Sequence, residues 1–386
     1  MKSEFLVGKL KLKCFSSLNE VSLSQLWDSI LPTENELRSS HLLAIELCRP
    51  ASLKFQYIFV EDSTNNRLLA IFYFQEIIVS SNNIQITDNF LLNLALQACL
   101  TIKEYKLLLS GNLFSIGIPS YYFSRENTPA DMYTTIIDFV FKNCKPTVFV
   151  VKDLEDREKD SLMADSAYNK FDFDTTMVLK IADHWKTMND YRLDLRKKYR
   201  TRFDKIRSSG KELQRIDLTL TSIINQSSRI NELFNQVAQR QNVRLGIIDE
   251  NYFIEHKRIL GDQFKLIGYY SKDKLIAFST YKNHGRELEV HYIGIDYAYN
   301  STYQLYFNIL YDALGTGIAE GYKEIELGRT SRDAKANMGS IPRSTTGFYR
   351  VDNHLSRSLL QLLQRHFQKT SKQNQDIRHP FKSVSS

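Results

Sequence analysis

Phe264-Lys-Leu-Ile-Gly-Tyr-Tyr270, followed by Lys272-Asp-Lys-Leu-Ile-Ala-Phe-Ser-Thr-Tyr281, sets two runs of apolar β-forming residues around a polar turn, which predicts a β-hairpin. An earlier stretch has the same form. Phe55-Gln-Tyr-Ile-Phe-Val60 and Asn65-Asn-Arg-Leu-Leu-Ala-Ile-Phe-Tyr-Phe74 flank the polar turn Glu61 to Asn66, with Ala70 in the place of Ala277. In each copy a third strand follows, at Tyr105 to Leu109 and at Leu288 to Ile295. A helix comes next, near Asp131 to Lys142 and near Thr302 to Glu320, and then another strand, Thr147 to Val151 and Glu324 to Leu327. A repeat of this length is a whole domain rather than a solenoid unit.

Length agrees with duplication. The chain has 386 residues, and single hydrophobic cores stop growing near roughly 250–300 residues. With 42% hydrophobic residues, 23 Phe and 21 Tyr there is material for two cores. No apolar run approaches the roughly 18 residues that span a bilayer, and the N-terminus carries no signal-like apolar region, so we expect a cytoplasmic protein without a membrane span. Cys14, Cys48, Cys99 and Cys144 are widely spaced, which reads as reduced thiols rather than a zinc or redox pair.

Helical patterns fill in the second copy. Ile230, Leu233, Phe234, Val237 and Ala238 form one apolar helical face, with Ser227 or Ser228 as cap. Tyr252, Phe253, His256, Ile259 and Leu260 form another, ended by Gly261. Tyr306, Ile309, Leu310 and Ala313 form a third, with Ser301 as expected N-cap and Gly321 as terminator. Charge is concentrated before this copy. Nine Lys/Arg and two Asp lie between Arg192 and Lys211, which accounts for the whole formal net charge of +7. Leu195, Tyr199, Phe203 and Ile206 give that segment an apolar stripe, so it reads as an amphipathic basic helix ended by Ser208-Ser-Gly210, with a strand from Leu213 to Leu220 behind it. The tail after Thr370 is polar and is expected to fray.

Helix-helix-hairpin-strand-helix-strand is the element order of the GNAT acyltransferases. Two such lobes joined by a basic helix resemble the FemAB-like branch of that superfamily, the double-GNAT acetyltransferases included. Leu195-Arg-Lys-Lys-Tyr-Arg-Thr-Arg-Phe-Asp-Lys-Ile-Arg207 resembles the family's basic helix, His291-Tyr-Ile-Gly-Ile-Asp296 its central strand, and Tyr322-Lys-Glu-Ile-Glu-Leu-Gly-Arg-Thr330 with Lys335 and Gly339 its terminal pattern. The resemblance implies an α/β (α+β) fold of tandem GNAT-like lobes, each a mixed twisted sheet flanked by helices. The expected divisions are an N-terminal lobe over 1–180, a basic linker helix over 181–211, a C-terminal acyltransferase lobe over 212–368 and a polar tail over 369–386. It also implies an N-acyltransferase that moves an acyl or aminoacyl group from acyl-CoA or aminoacyl-tRNA to an amine, such as that of a cell-envelope precursor, with no permanently bound cofactor.

One departure stands out. CoA-binding relatives present a glycine-bearing turn to the pyrophosphate before the third helix, whereas Tyr299-Asn-Ser-Thr-Tyr-Gln-Leu-Tyr306 has no glycine. Two readings therefore stay open, an acyltransferase and a degenerate pair acting as a non-catalytic binding protein. A third, a nucleic-acid-binding module using only the basic helix, lacks a reader motif.

Acyl transfer to an amine needs a held carbonyl, a base and a proton for the leaving group. Tyr292-Ile293-Gly294 is the candidate carbonyl-holding strand, unless Gly294 only marks a strand bend. Ile293, Gly294, Ser301 and Thr302 are candidates for the carrier. Asp296 is the candidate base or the group that orients the acceptor amine, or else a turn aspartate, and Tyr349 the candidate proton donor, or half-buried packing. Arg329, Thr330 and Lys335, just past the last strand, are candidates for an anionic substrate, as are Lys197, Lys198 and Arg200 on the basic helix. Glu287 and Glu289, the alternates to Asp296, share one strand face, expected to be solvated. His284 and His291 fall across a hairpin without a metal motif, and His291 reads as a hydrogen-bonded core residue.

Overall fold

The computed structural model describes residues 2–48, 50, 53–81, 83–84, 90–102, 104–124, 131–241, 247–353, 356–358, 360–365 and 378–382. They divide into two compact units. One is drawn from residues 1–173, 247–248 and 345–364, the other from 174–241, 249–344 and 365–386.

The first unit is built from β1 (Lys2–Val7), β2 (Leu10–Phe15), α1 (Val21–Asp28), α2 (Ser39–Leu47), β3 (Leu53–Asp62), β4 (Leu68–Val79), α3 (Phe90–Ile102), β5 (Tyr105–Ser110), β6 (Tyr121–Phe123), α4 (Met132–Cys144), β7 (Val148–Val151) and α5 (Asp156–Ala164). The chain then runs through β8 (Asn169–Lys180) into α6 (Met188–Asp194), α7 (Lys197–Ser209), β9 (Gln214–Asp217), α8 (Leu220–Asn225), α9 (Ser227–Ala238) and α10 (Glu250–Leu260). It continues with β10 (Phe264–Ser271), β11 (Lys274–His284), β12 (Glu287–Ile295), α11 (Tyr297–Tyr303), α12 (Leu305–Glu320), β13 (Glu324–Glu326), α13 (Arg332–Ala336) and β14 (Ile341–Arg350).

The duplication is visible strand by strand. In the first unit β2, β3, β4 and β5 are antiparallel neighbours and β7 lies parallel to β5. In the second, β9, β10, β11 and β12 are antiparallel neighbours and β13 lies parallel to β12. Even the hairpin irregularity repeats. The register slips just after Val60↔Ala70 in one copy and just after Tyr269↔Ala277 in the other, so the two alanines matched by sequence sit at the same bulge.

The closing strands come from unexpected places. The end of β8 (Val178 to Lys180) pairs with β13, and the end of β14 (Phe348 to Arg350) pairs with β7, both antiparallel. Each unit is thus closed by a strand lying, in sequence, beyond the helices of the other. The lobe expected over 212–368 therefore gives up residues 345–364 to the first unit, and the boundary expected at 180/181 falls at 173/174.

The basic segment is also placed differently from expectation. It is no separate linker. Leu195, Phe203 and Ile206 enter a core of the second unit with Tyr191, Tyr311 and Leu314. The apolar stripe is real, but α7 begins at Lys197, after Leu195. Of the tail expected to fray, residues 369–377 and 383–386 lie outside the described residues. Residues 378–382 are packed: Phe381 bridges Leu195, and its ring meets Trp185 at 5.4 Å and Tyr191 at 5.9 Å. Gln226, not Ser227 or Ser228, precedes α9, without a side-chain cap bond. Gly261 and Gly321 end α10 and α12 in positive-φ conformations, as read.

Candidate active site

β12 and β13 begin side by side and then part. Their pairing runs from Glu287↔Glu324 through Glu289↔Glu326 and stops, while β12 continues to Ile295. Beyond the fork no described strand covers that edge of β12. The side chain of His291 is 1% exposed although the residue as a whole is half-exposed, so its backbone is what faces solvent. An uncovered strand edge offers peptide groups to an extended ligand.

A bulge shapes the other edge. Ser279 pairs with Ile293 and Tyr281 with Val290, so Thr280 alone opposes His291 and Tyr292. The Thr280 hydroxyl fills the gap: it accepts from the Tyr292 N–H at 2.8 Å and donates to the Tyr292 carbonyl at 3.1 Å. With one extra residue in β12 the alternation of faces fails, and the rings of His291 and Tyr292 both reach Tyr252 of α10.

A buried polar chain runs through the fork. Lys282 Nζ donates to the Tyr252 hydroxyl at 3.4 Å, and that hydroxyl lies 2.7 Å from His291 Nε2. His291 Nδ1 lies 2.6 Å from Glu289 Oε1, and His284 Nε2 lies 2.6 Å from Glu289 Oε2. Burial, helped by Lys282, pushes His291 down to about 4, so the ring is neutral. Burial opposes the charge on Glu289, but the electrostatic attraction of His291 and the hydrogen bonds from His284 and His291 hold its carboxyl well below the usual range.

Next to this chain stand Glu326 and Lys335. Glu326 is 6% exposed and takes the Gly328 N–H at 2.7 Å; burial, then the charge of Glu289, pushes it up to about 7. Lys335 is 2% exposed, and burial pushes its ammonium down to about 7 against the attraction of Glu326. No hydrogen bond to the Lys335 ammonium is formed among the described residues. Gly328 has φ +83 and stands where a Cβ would lie 3.5 Å from Lys335 Nζ, so glycine suits the turn that brings the strand end over the lysine. An acid and a base both driven toward neutrality by burial, in a sheet fork with an uncovered strand edge, are fitted for proton transfer.

The residues singled out from sequence are only partly gathered here. Tyr292 packs edge-on against Phe234 and Tyr252 at 5.5 Å each. Ile293 joins the core on β12. A Cβ on Gly294 would lie 2.2 Å from the Phe278 ring and 2.9 Å from the backbone of Leu233, so the glycine admits α9 and Phe278 against the strand. Asp296 caps α11, accepting from the Ala298 N–H at 3.2 Å, and pairs with Arg229 at 2.6 Å. Burial raises its pKa, but Arg229, the Ala298 N–H and Lys274 outweigh that and hold the carboxyl low. This is the reverse of what a base needs. Ser301 and Thr302 are exposed within α11 rather than at a helix start. Asp296 is the cap, and α12 opens after Gln304, whose φ is +45.

Arg329 and Thr330 are exposed on the loop that leads to Lys335. Lys197 and Lys198 are exposed on α7, with Arg200 half-buried beside them. Tyr349 belongs to the first unit, where its ring meets Phe171 at 5.6 Å and its hydroxyl lies 3.5 Å from Gln364. Glu289, expected on a solvated face, is buried, because β13 and the two histidines cover it. Glu326 becomes a site residue only in the structure; its one signal in the sequence is its alternation with Glu324 in a strand whose next residues are Leu-Gly-Arg. Among the described residues no group of His, Cys, Asp and Glu is arranged to hold a metal ion, and no helix is long and apolar enough to cross a membrane.

The equivalent place in the first unit is shut. β5 and β7 pair to their ends, Ser110↔Val151, and the ladder extends to Lys152 N–H on Ser110 O at 3.1 Å. The Lys152 side chain lies across Gly111, where a Cβ would come within 2.4 Å of it. Its ammonium donates to the carbonyls of Asn112 (2.9 Å) and Ser115 (2.7 Å) and pairs with Asp153 at 2.9 Å.

No family model matches the chain, and no curated protein matches it. Among solved structures it is similar to FemX, with TM-score 0.50 and 9% identity over 88% of this chain and 98% of that one. It also matches a tandem GNAT protein from the clavulanic acid biosynthesis pathway (TM-score 0.49, 9% identity, 88% of this chain and 97% of that one) and L-PGS from Bacillus licheniformis (0.48, 13%, 92% and 98%). By fold, then, the chain is an α/β protein of two similar units with the fold of FemX. At 9% identity this is a likeness of fold alone.

Proposed function

We propose that the chain is an N-acyltransferase whose reaction takes place at the β12–β13 fork of the second unit. The observation that carries this reading is the uncovered β12 edge beside Glu326 and Lys335, both poised near neutrality. In the reaction an amine nitrogen bonds to the donor carbonyl carbon, and the bond from that carbon to the carrier's oxygen or sulfur breaks. The Glu326 carboxylate takes the amine proton. Lys335, as ammonium, faces the charge developing on the carbonyl oxygen and supplies a proton to the departing group.

The donor is carrier-bound, an acyl-CoA or an aminoacyl-tRNA, and the acceptor is an amine on an anionic molecule such as a cell-envelope precursor. The absence of glycine between Tyr299 and Tyr306, with Ser301 and Thr302 exposed in mid-helix, favours a carrier that needs no glycine turn for its phosphates. Arg329 and Thr330 then meet an anion at the fork, and Lys197, Lys198 and Arg200 meet a polyanionic carrier on α7. In this reading the enzyme is cytoplasmic and holds no permanent cofactor. The closed first unit keeps the second reading alive locally, as a non-catalytic binding partner.

The test is transfer of labelled acyl groups from both carrier classes to a panel of amines. The expected result is turnover with one class, a bell-shaped pH profile centred near 7 from the coupled pair, and loss of at least ~100-fold in Glu326→Gln and Lys335→Met. Charge reversal at Lys197 and Lys198 should raise KM for the carrier more than it lowers kcat. Folded protein that transfers nothing from either class to any amine would overturn the reading.

A further inference from the structure

Glu289 and its two histidines have no place in the chemistry just described, yet both carboxylate oxygens of this buried residue are hydrogen-bonded to an imidazole. Glu289 and Glu326 are register partners on parallel strands, so their side chains leave the sheet on the same face, one strand spacing apart. Both are buried. Two carboxylates so placed cannot both ionise freely, and which one keeps the proton depends on which is better supplied with donors. Glu289 receives His291 Nδ1 and His284 Nε2, each at 2.6 Å, one to each oxygen. Glu326 receives a single backbone N–H, from Gly328.

We infer that Glu289 is a positioning residue: a carboxylate locked in its charged form by His284 and His291, whose fixed negative charge sets the proton on the neighbouring Glu326. This rests on the reading of Glu326 as the base. The direction of hydrogen bonding is fixed along the whole chain. Lys282 donates to the Tyr252 oxygen, and the Tyr252 O–H donates in turn to Nε2 of the neutral His291 ring. His291 must then carry its proton on Nδ1 and give it to Glu289. Burial keeps that imidazole neutral.

The other charged groups facing Glu326 do not cancel the effect. Glu287 on β12 adds to it. Lys335 on α13 and Arg343 on β14 oppose it, but Arg343 is occupied by Glu287 at 2.7 Å and Glu324 at 3.3 Å. From β8 the register partner of Glu326 is Val178, which carries no charge.

The experiment is a pH titration of the intact protein, selectively labelled at the glutamate carboxyl carbons and followed by NMR, with Glu326→Gln assigning the resonance. Wild-type Glu326 should titrate near neutrality, about two units above ordinary glutamates. In Glu289→Gln its midpoint should fall by at least one unit, and the acid limb of any pH–rate profile should move with it. In His291→Gln the midpoint should also fall, because Glu289 then competes for the shared proton. A wild-type Glu326 titrating with the surface glutamates overturns the inference without any variant, and so does an unmoved midpoint in folded Glu289→Gln. Because the titration is read without substrate, a protein with the expected midpoints and no transfer activity would sink the acyltransferase reading and leave the tuning intact.

Discussion

Glu289 and Glu326 are the last register pair before β12 and β13 diverge, and the two carboxyl groups are driven in opposite directions by their surroundings. Both are buried; the asymmetry comes from His291 and His284, which attract and hydrogen-bond Glu289, and from the charge of Glu289, which faces Glu326. The same fork places the Lys335 ammonium in the protein interior, and its energetic signature can be read without knowing a substrate.

Lys335 lowers stability at neutral and acid pH. Its folded pKa, about 7, lies below the ordinary lysine value of 10.5. Between those values the unfolded chain binds more protons than the folded one, so stability rises with pH across that window. Lys335→Met should therefore be more stable than wild type at pH 6 by about 2 kcal/mol. The gap should close as pH climbs from 7 towards 10. Urea melts of both proteins across that range check this, and a gap that widens with pH would refute it.

Asp296 contributes to stability, not to proton transfer. Replacing it with Asn should leave transfer within about tenfold of wild type, with the pH profile unmoved, while costing about 1–2 kcal/mol through the Arg229 pair and the α11 cap. Its carboxyl pKa is depressed, so the contribution is present above the ordinary carboxylate value of 3.8 and is lost as pH falls through the folded value. Thermal melts should show a difference between Asp296→Asn and wild type that is full at pH 7 and shrinks as pH falls below 3.8.

Gly294→Ala forces a methyl group onto Phe278 and the Leu233 backbone, at 2.2 and 2.9 Å before any adjustment. The ring can swing but the α9 backbone cannot without repacking, so a loss of about 2–3 kcal/mol is expected. Denaturant unfolding measures it. A neutral substitution would mean that the glycine serves ligand approach instead.

Phe381 seats its ring against Gly339, where a Cβ would stand 2.2 Å from the ring. Around it, Arg196 N–H donates to Pro380 O at 2.8 Å, Lys382 N–H donates to Asp194 O at 2.9 Å, and the Tyr191 hydroxyl donates to Met338 O at 3.0 Å. The segment 378–382 thereby holds the turn that follows Lys335. Phe381→Ala should cost about 2–3 kcal/mol and shift the fluorescence of the neighbouring Trp185 to longer wavelength. Unchanged emission would show that the ring is not seated there.

Most strands and helices could be read locally, because alternation and 3.6-residue periodicity are written along the chain. The two hairpins, the basic helix with its apolar stripe, the glycines ending α10 and α12, and the buried state of His291 all follow from near neighbours in sequence. So does the duplication, because element order and the paired alanines recur.

Other features required the tertiary structure, because they depend on contacts between residues far apart in the chain. No periodicity tells β8 to close the second unit or β14 the first. Glu289 looked solvated because strand alternation marks a face as polar without saying whether a parallel strand and two imidazoles cover it. Asp296 looked like a base until Arg229, 67 residues away in sequence, was found on it. Glu326 and Lys335 acquire their chemistry only from burial in a shared fork: the free energy of a charge depends on what surrounds it, and sequence names the charge without its surroundings.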